Sequence, residues 1–427
     1  MTVPRAAALG IGSMVGAGIF ALLGQVGAVA GGSVWIAFVI GGVVALLNGY
    51  SYGRLGARFP SAGGPVDYLT RGYGEGVFSG GLSLFYYVSG VIGMAMVARA
   101  FGSYAATLFG LSTTSTLVTG TFSAAVVVGL TVLNAAGSGS VGKAELAIVA
   151  AKLFILSLFV VGGAFGVSAS LLRDEVAMSS SLPAAAGFAF FAYTGFGVIT
   201  NAAAEMPDPS RDLPRALMIA IGIVIVLYVA ISLVAFGSLS VDEIVNDKDT
   251  ALAVAAEPVF GKAGFTIMAI AALFSTASAI NASLFGSTNI SYVLGKNGEL
   301  PDEFDRRSWH GAPEGLFITA AAVLVFATVL DLSQVASLGG LAALLVYLAV
   351  AWGHLRLRHE TGARGWPLAL AIVATAGTTA AFVIRMATDQ PLILALGVII
   401  VAAAFGIEIL LQHRTGRVIR RIRASSG

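Results

Sequence analysis

Long apolar stretches alternate with short polar ones along the whole chain. The apolar stretches lie near 6–30, 33–57, 77–108, 115–136, 144–168, 184–204, 215–238, 263–293, 315–331, 334–355, 366–386 and 390–411. A helix needs about 20 predominantly apolar residues to cross a bilayer. The pattern therefore predicts an all-α polytopic membrane protein with twelve transmembrane helices. Only Asp331-Leu332-Ser333-Gln334 separates the ninth stretch from the tenth.

Two of these spans carry an interruption. In the first, Gly10-Ile11-Gly12-Ser13-Met14-Val15-Gly16-Ala17-Gly18-Ile19-Phe20 places four glycines in eleven residues. Glycine is the poorest helix former after proline, so the run is expected to open the helix and free backbone N–H and C=O groups. At membrane depth such groups need protein or an aqueous cavity to receive them, which makes the break a natural binding site for a small polar ligand. Close helix packing through small residues is the competing reading. The sixth span repeats the feature in Phe190-Phe191-Ala192-Tyr193-Thr194-Gly195-Phe196-Gly197-Val198-Ile199-Thr200-Asn201. Interrupted helices at corresponding positions of two halves point to a secondary transporter with substrate held between them near the midplane.

Composition agrees with the pattern. Of the 427 residues 57% are hydrophobic and 11% charged, whereas soluble domains carry about 25% charged residues. Cysteine is absent, which excludes disulfides and thiolate chemistry. His310, His354, His359 and His413 all fall in polar loops or at span ends, which argues against a metal site or His relay in the membrane. Most of the 24 Lys and Arg residues, Arg5, Arg54, Arg58, Arg71, Arg211 and Arg356 among them, fall on the side of the N-terminus. The positive-inside rule then puts both termini in the cytoplasm of a multi-pass plasma membrane protein. Met1-Thr2-Val3-Pro4-Arg5 leads straight into the first span without a small-residue cleavage site, so this span is read as retained. The basic tail 412–427 reads as a headgroup anchor rather than a nucleic-acid site.

Ionisable residues inside spans are expensive and so are functional hypotheses by default. Lys152 lies nine residues into the fifth span, about 13 Å past its start and close to the bilayer centre. Burial disfavours the charged form of an amine, so this group is a candidate fixed cation, a proton carrier, or both. Facing a neighbouring helix end is its purely structural alternative. Arg99, in the third span past the midplane, reads as a side chain that snorkels to the far interface. Ser275 and Ser278, one turn apart in the eighth span, could partner a cation, although serines also bond their own helix backbone. No carboxylate is expected near the membrane centre; Glu145, Glu205 and Glu408 come nearest, at interfacial helix ends. No nucleophile pair, paired carboxylates or cofactor motif is apparent, so an enzyme is not expected.

Four motifs carry a family resemblance. They are Met14-Val15-Gly16-Ala17-Gly18-Ile19-Phe20; Arg58-Phe59-Pro60-Ser61-Ala62-Gly63-Gly64-Pro65; Phe190 to Phe196 continuing through Ala204-Glu205-Met206-Pro207-Asp208-Pro209 to Asp212-Leu213-Pro214-Arg215-Ala216; and Asn281-Ala282-Ser283 through Gly298-Glu299-Leu300-Pro301. Together they resemble the amino acid, polyamine and organocation (APC) transporter superfamily, in particular prokaryotic relatives of the cationic amino acid transporters. The resemblance implies a single transporter domain over 1–427 with a LeuT-like five-plus-five inverted repeat. Residues 6–168 would form the first repeat and 184–355 the second, followed by two additional spans over 366–411. It implies alternating access, with a substrate carboxylate met by N–H groups around Gly16, Ala17 and Gly18 and its amine by carbonyls around Phe191, Ala192 and Thr194. Phe196 and Asn281, with Tyr86 and Tyr87, are further pocket candidates. Lys152 matches the lysine that occupies the sodium position in sodium-independent members, with Ser275 and Ser278 beside it.

The chain departs from many relatives at Gly197, where they carry an acidic residue, and at Gly53 and Arg54, where a glutamate is common. The expectation is therefore a sodium-independent, proton-coupled carrier of neutral amino acids. It needs no cofactor, metal or obligate protein partner, and its partners are the amino acid, a proton and membrane lipid. A proton-independent exchanger is the alternative within transport, and an amino-acid-binding sensor or partner subunit the alternative outside it.

Overall fold

The computed structural model describes residues 1–61, 63–136, 141–168, 171, 181–296 and 313–415. Ala62, the Gly298 to Pro301 motif and the basic tail beyond Thr415 lie outside them. The described residues form helices joined by short turns: α1 (Val3–Ala17), α2 (Ile19–Ala30), α3 (Val34–Arg58), α4 (Pro65–Tyr73), α5 (Val77–Leu108), α6 (Thr116–Ala135), α7 (Val141–Gly163), α8 (Leu182–Tyr193) and α9 (Val198–Asn201). The chain continues through α10 (Pro209–Ser238), α11 (Val241–Asn246), α12 (Ala251–Lys296), α13 (Glu314–Val329), α14 (Leu332–Arg356), α15 (Arg358–Thr361), α16 (Gly365–Asp389) and α17 (Pro391–Thr415). Within α12, Gly261 takes φ +67° and ψ −165°, a conformation open to glycine, and kinks the helix there.

Among the described residues, 10 helical stretches are long and apolar enough to cross a membrane. The twelve expected spans differ from that number at two places. Only the 3-10 turn Gly31–Ser33 separates α2 from α3, so Ile19–Arg58 is one continuous apolar stretch, while α1 stands apart beyond Gly18. Helix α13 has 16 residues and measures about 24 Å, short of a hydrocarbon core of about 30 Å.

Lipid offers no hydrophobic drive between helices, so packing and internal hydrogen bonds must hold them. Helix α5 is the central post and touches α6, α12, α13, α14 and α17, while α3 lies against α8, α10 and α16. Side chains such as Leu117, Phe165, Val226 and Leu392 point outward as the apolar exterior that lipid requires. Glycine permits the closest approaches: a Cβ on Gly102 of α5 would lie 2.2 Å from the Thr119 carbonyl of α6. Polar caps finish the ends that reach water. The Asp331 side chain accepts the Gln334 N–H at 2.8 Å, and Gln334 returns its side chain to the Asp331 N–H at 3.0 Å.

Arg99 does not snorkel. It is 2% exposed, because the carbonyls of Thr116 and Ala327 each lie 3.3 Å from its Nη1 and receive its protons inside the bundle. It joins α5 to the start of α6 and the end of α13. Glu408 is likewise buried within α17, where its Oε1 accepts from Gln412 Nε2 at 2.9 Å.

Gly102→Val should lower stability by about 1–3 kcal/mol through overpacking, read as a lower Tm in detergent. Gly129→Val is the control, since no atom lies within 4 Å of a Cβ there, and its Tm should stay near the parent value.

Candidate functional site

The glycine run of the first span does not unwind the helix along its length. Helix α1 continues through Gly10, Gly12 and Gly16 to Ala17, and the interruption is confined to Gly18, at φ −84° and ψ −77°. The glycines instead supply close approach. A Cβ on Gly18 would lie 2.4 Å from the Tyr228 hydroxyl oxygen and 2.5 Å from the Ala192 carbonyl oxygen. Both competing readings therefore describe part of the stretch: Gly18 breaks the helix, and the other glycines pack it.

Tyr228 of α10 completes the broken turn. Its hydroxyl donates to the Met14 carbonyl at 2.7 Å, with the Ala192 carbonyl 3.4 Å away. The Gly18 N–H also donates to Met14 O, at 2.8 Å. Gly18 thus keeps the bonding of a regular helix through Met14 and Leu22, and Tyr228 adds a second donor at the Met14 carbonyl.

The sixth span is interrupted more extensively. Helix α8 ends at Tyr193, a 3-10 turn runs Thr194–Gly197, and the short α9 and a second 3-10 turn, Ala203–Glu205, follow. The Thr194 hydroxyl donates to the Phe191 carbonyl at 2.8 Å, and the Tyr347 hydroxyl of α14 donates to the Thr194 carbonyl at 2.8 Å. The two breaks meet backbone to backbone. A Cβ on Gly195 would lie 2.7 Å from the Met14 nitrogen and 2.8 Å from the Ser13 hydroxyl oxygen.

A cavity of about 300 Å³ opens beside this crossing. Its walls come from α1 at Gly12 and Ser13, α5 at Tyr86 and Ser89, the sixth span at Phe191, Ala192, Thr194 and Asn201, α12 at Ser278 and Ser283, and α14 at Tyr347. Gly90, Asn201, Ala282 and Ser283 are exposed on it, so the cavity reaches toward the side of the N-terminus. Among the described residues that line it, none carries a charge.

Of the expected substrate residues, Phe191, Ala192 and Thr194 line the cavity, while Gly16 and Gly18 lie behind its wall and Ala17 closes α1 beside them. Phe196 is fully buried and packs edge-on against Tyr52 and Tyr347, with ring centroids 5.5 and 5.3 Å away. Asn281 points elsewhere: its Oδ1 accepts from Asn134 Nδ2 at 2.7 Å, joining α12 to α6. Tyr86 lines the cavity, whereas the Tyr87 hydroxyl is 2.6 Å from Thr319 Oγ1.

Lys152 sits at the back of this wall. It is 3% exposed, and its Nζ donates to the Gly12 carbonyl at 2.6 Å, tying α7 to α1. A Cβ on Gly16 would lie 3.1 Å from that Nζ and 3.5 Å from the Ser275 carbonyl, so Lys152, Gly16 and Ser275 converge on one spot. Ser275 is fully buried, and its Oγ has no hydrogen-bond partner among the described residues. Ser278, one turn on, faces the cavity instead.

Sequence reasoning did not single out Ser13, Ser89 or Tyr347 for the wall. Ser13 sat inside the glycine run and was the available signal. Tyr347 lies in an apolar stretch with no local mark.

An amino acid permease family model matches residues 1–408. The chain is 39% identical over 353 residues, 82% of each chain, to the inner membrane transport protein YbaT of Escherichia coli (strain K12). It is 28% identical over 297 residues to the serine/threonine exchanger SteT of Bacillus subtilis (strain 168), covering 68% of this chain and 67% of that one. It is also 26% identical over 385 residues to the mitochondrial cationic amino acid transporter 3 of Arabidopsis thaliana, covering 84% of this chain and 62% of that one.

Tyr228→Phe removes one of the two donors at the buried Met14 carbonyl. It should cost about 0.5–1.5 kcal/mol, measured as a lower Tm with an unchanged helical circular dichroism spectrum.

Proposed function

This chain belongs to the amino acid permease family and is an amino acid transporter, and from that premise we propose that it is a sodium-independent, proton-coupled carrier of neutral amino acids. It works by alternating access in the plasma membrane, with both termini cytoplasmic and the cavity facing the cytoplasm. The observation that carries the reading is the Lys152 ammonium, 2.6 Å from the Gly12 carbonyl, behind a cavity whose described lining bears no charge.

The substrate's ammonium meets the carbonyls of Phe191, Ala192 and Thr194. Its carboxylate meets the N–H groups around Gly16, Ala17 and Gly18 at the positive end of the α2 dipole, which requires the last turn of α1, closed and behind the cavity wall in this conformation, to open as substrate binds. The Gly18 N–H and the Tyr228 hydroxyl exchange their present partners as the carboxylate arrives. An uncharged wall offers a cationic side chain no counter-ion, which supports neutral substrates, and Gly197 leaves vacant the position where an acid would sit.

Lys152, with Ser275 beside it and Ser278 one turn on at the cavity wall, stands as the fixed cation. A charged donor is worth about 1.5–3 kcal/mol in a hydrogen bond and a neutral one about 0.5–1.5. Losing its proton therefore weakens the hold of α7 on α1 by about 1 kcal/mol, enough to bias the balance between inward and outward forms several-fold. The resemblance to a protein named as a serine/threonine exchanger favours proton-independent exchange as the second reading.

Uptake of labelled amino acids into sodium-free proteoliposomes separates the two. On the leading reading a neutral amino acid accumulates only under an inward proton gradient, and Lys152→Ala abolishes accumulation while keeping substrate binding. Uptake that needs internal amino acid and ignores the gradient establishes exchange. Gly197→Glu, whose Cβ would stand 3.3 Å from the Tyr347 hydroxyl oxygen, should shift preference toward lysine or arginine by at least about tenfold, in keeping with the strength of a charged hydrogen bond.

A further inference from the structure

The half of the first span remote from the N-terminus is covered rather than open. Between α10 and α12 the chain forms α11, the 3-10 turn Lys248–Thr250 and the first turn of α12, and this segment lies on α2. Helix α11 starts with a reciprocal cap. Ser240 and Glu243 bond each other there, and those bonds hold the Glu243 carboxyl below its usual range.

Contact with α2 is intimate at two neighbouring residues. A Cβ on Gly24 would lie 2.0 Å from the Lys248 carbonyl oxygen, so only a bare helix surface admits the turn. Gln25, 2% exposed, donates its Nε2 to Asp249 Oδ1 at 2.9 Å. The same turn packs against the post helix, whose Tyr104 donates to the Phe20 carbonyl at 3.1 Å. The charges of Asp249 and Asp331 act on the Arg99 guanidinium beyond it. Asp249 thus stands between the first span and the post, held by the Gln25 amide, with Lys248 its stronger attracting charge, Arg99 a weaker one and Asp331 opposing them.

We propose that Asp249 is a positioning residue of the transport cycle: its carboxylate latches the 248–250 turn onto Gln25 and holds the far side of the cavity shut. Breaking the latch shifts the protein toward the form open on that side. The proposal rests on the alternating-access reading.

The chain contains no cysteine, so single thiols can report on each side without background. Ser337, 1% exposed, borders a small cavity of about 50 Å³ beside Gln25, on the latched side, and Ser283 lines the open cavity. Labelling of S337C and S283C by a water-soluble maleimide is measured in nanodiscs, with and without a neutral amino acid. Gln25→Glu removes the amide donor and brings a second carboxyl against Asp249. It should raise the S337C rate roughly tenfold, in keeping with a lost hydrogen bond to a charged group, and lower the S283C rate. Gln25→Glu combined with Asp249→Asn restores a donor and acceptor in reversed order and should return both rates to within about twofold of the parent, the residual being the altered charge beside Arg99. Gly24→Ala forces a methyl against the Lys248 carbonyl and should open the same side by a separate route. An S337C rate unmoved by Gln25→Glu, or one that the reversed pair does not restore, overturns the latch. If the amino acid shifts neither reporter in the parent, the alternating-access reading fails instead.

Discussion

Every backbone polar group in hydrocarbon needs a partner, and the two interrupted spans are built around that demand. A break at Gly18 and a longer one at Thr194–Gly197 interrupt the regular helices near the centre of the bundle. Tyrosine hydroxyls reach in from neighbouring helices: Tyr347 donates to the Thr194 carbonyl at the longer break, Tyr228 adds a donor to Met14 beside the shorter one, and Tyr104 and Tyr193 donate to the helical carbonyls of Phe20 and Phe38. Each hydroxyl arrives on a rigid ring from a neighbouring helix. These bonds also fix the spacing of four pairs of elements.

The same constraint explains which parts were legible beforehand. Span positions, the two interruptions and the isolated Lys152 follow from one-dimensional signals: apolar length, glycine density and a charge where none is cheap. The placement of Lys152 against Gly12 adds a partner that spacing alone does not name. What stayed hidden depends on which helices meet. Arg99 looked free to snorkel because its acceptors, Thr116 and Ala327, belong to two other helices. Asn281 and Phe196 carry the right chemistry for a pocket, yet Asn134 and the rings of Tyr52 and Tyr347 claim them. Glycine density marked a special segment correctly but overstated the unwinding, since helical glycine is also the surface on which Tyr228, Ala192 and Lys152 can come close.

The molecule is asymmetric across the membrane for reasons local to each half of the first span. Toward the N-terminus, α1 borders the cavity, and Asn201 and Ser283 remain exposed there. Beyond Gly18, Gly24 and Gln25 of α2 are covered by the Lys248–Thr250 turn, with Tyr104 joining both to α5. One residue, Gly18, separates the two behaviours.

Charge placement gives the proposed selectivity a magnitude. On the proposed reading Lys152 is charged while, among the described residues that line the cavity, none is, so a cationic side chain entering it meets a repulsion those residues do not offset. At a separation of about 8 Å and an effective dielectric of about 20, that repulsion is about 2 kcal/mol, or more than tenfold in affinity. A neutral side chain escapes it, and the substrate's own ammonium is offset by the carbonyls at the sixth-span break and by its carboxylate. Removing the proton from Lys152 removes both the repulsion and part of the hold on Gly12, so on the proposed reading selectivity and coupling are two consequences of one charge.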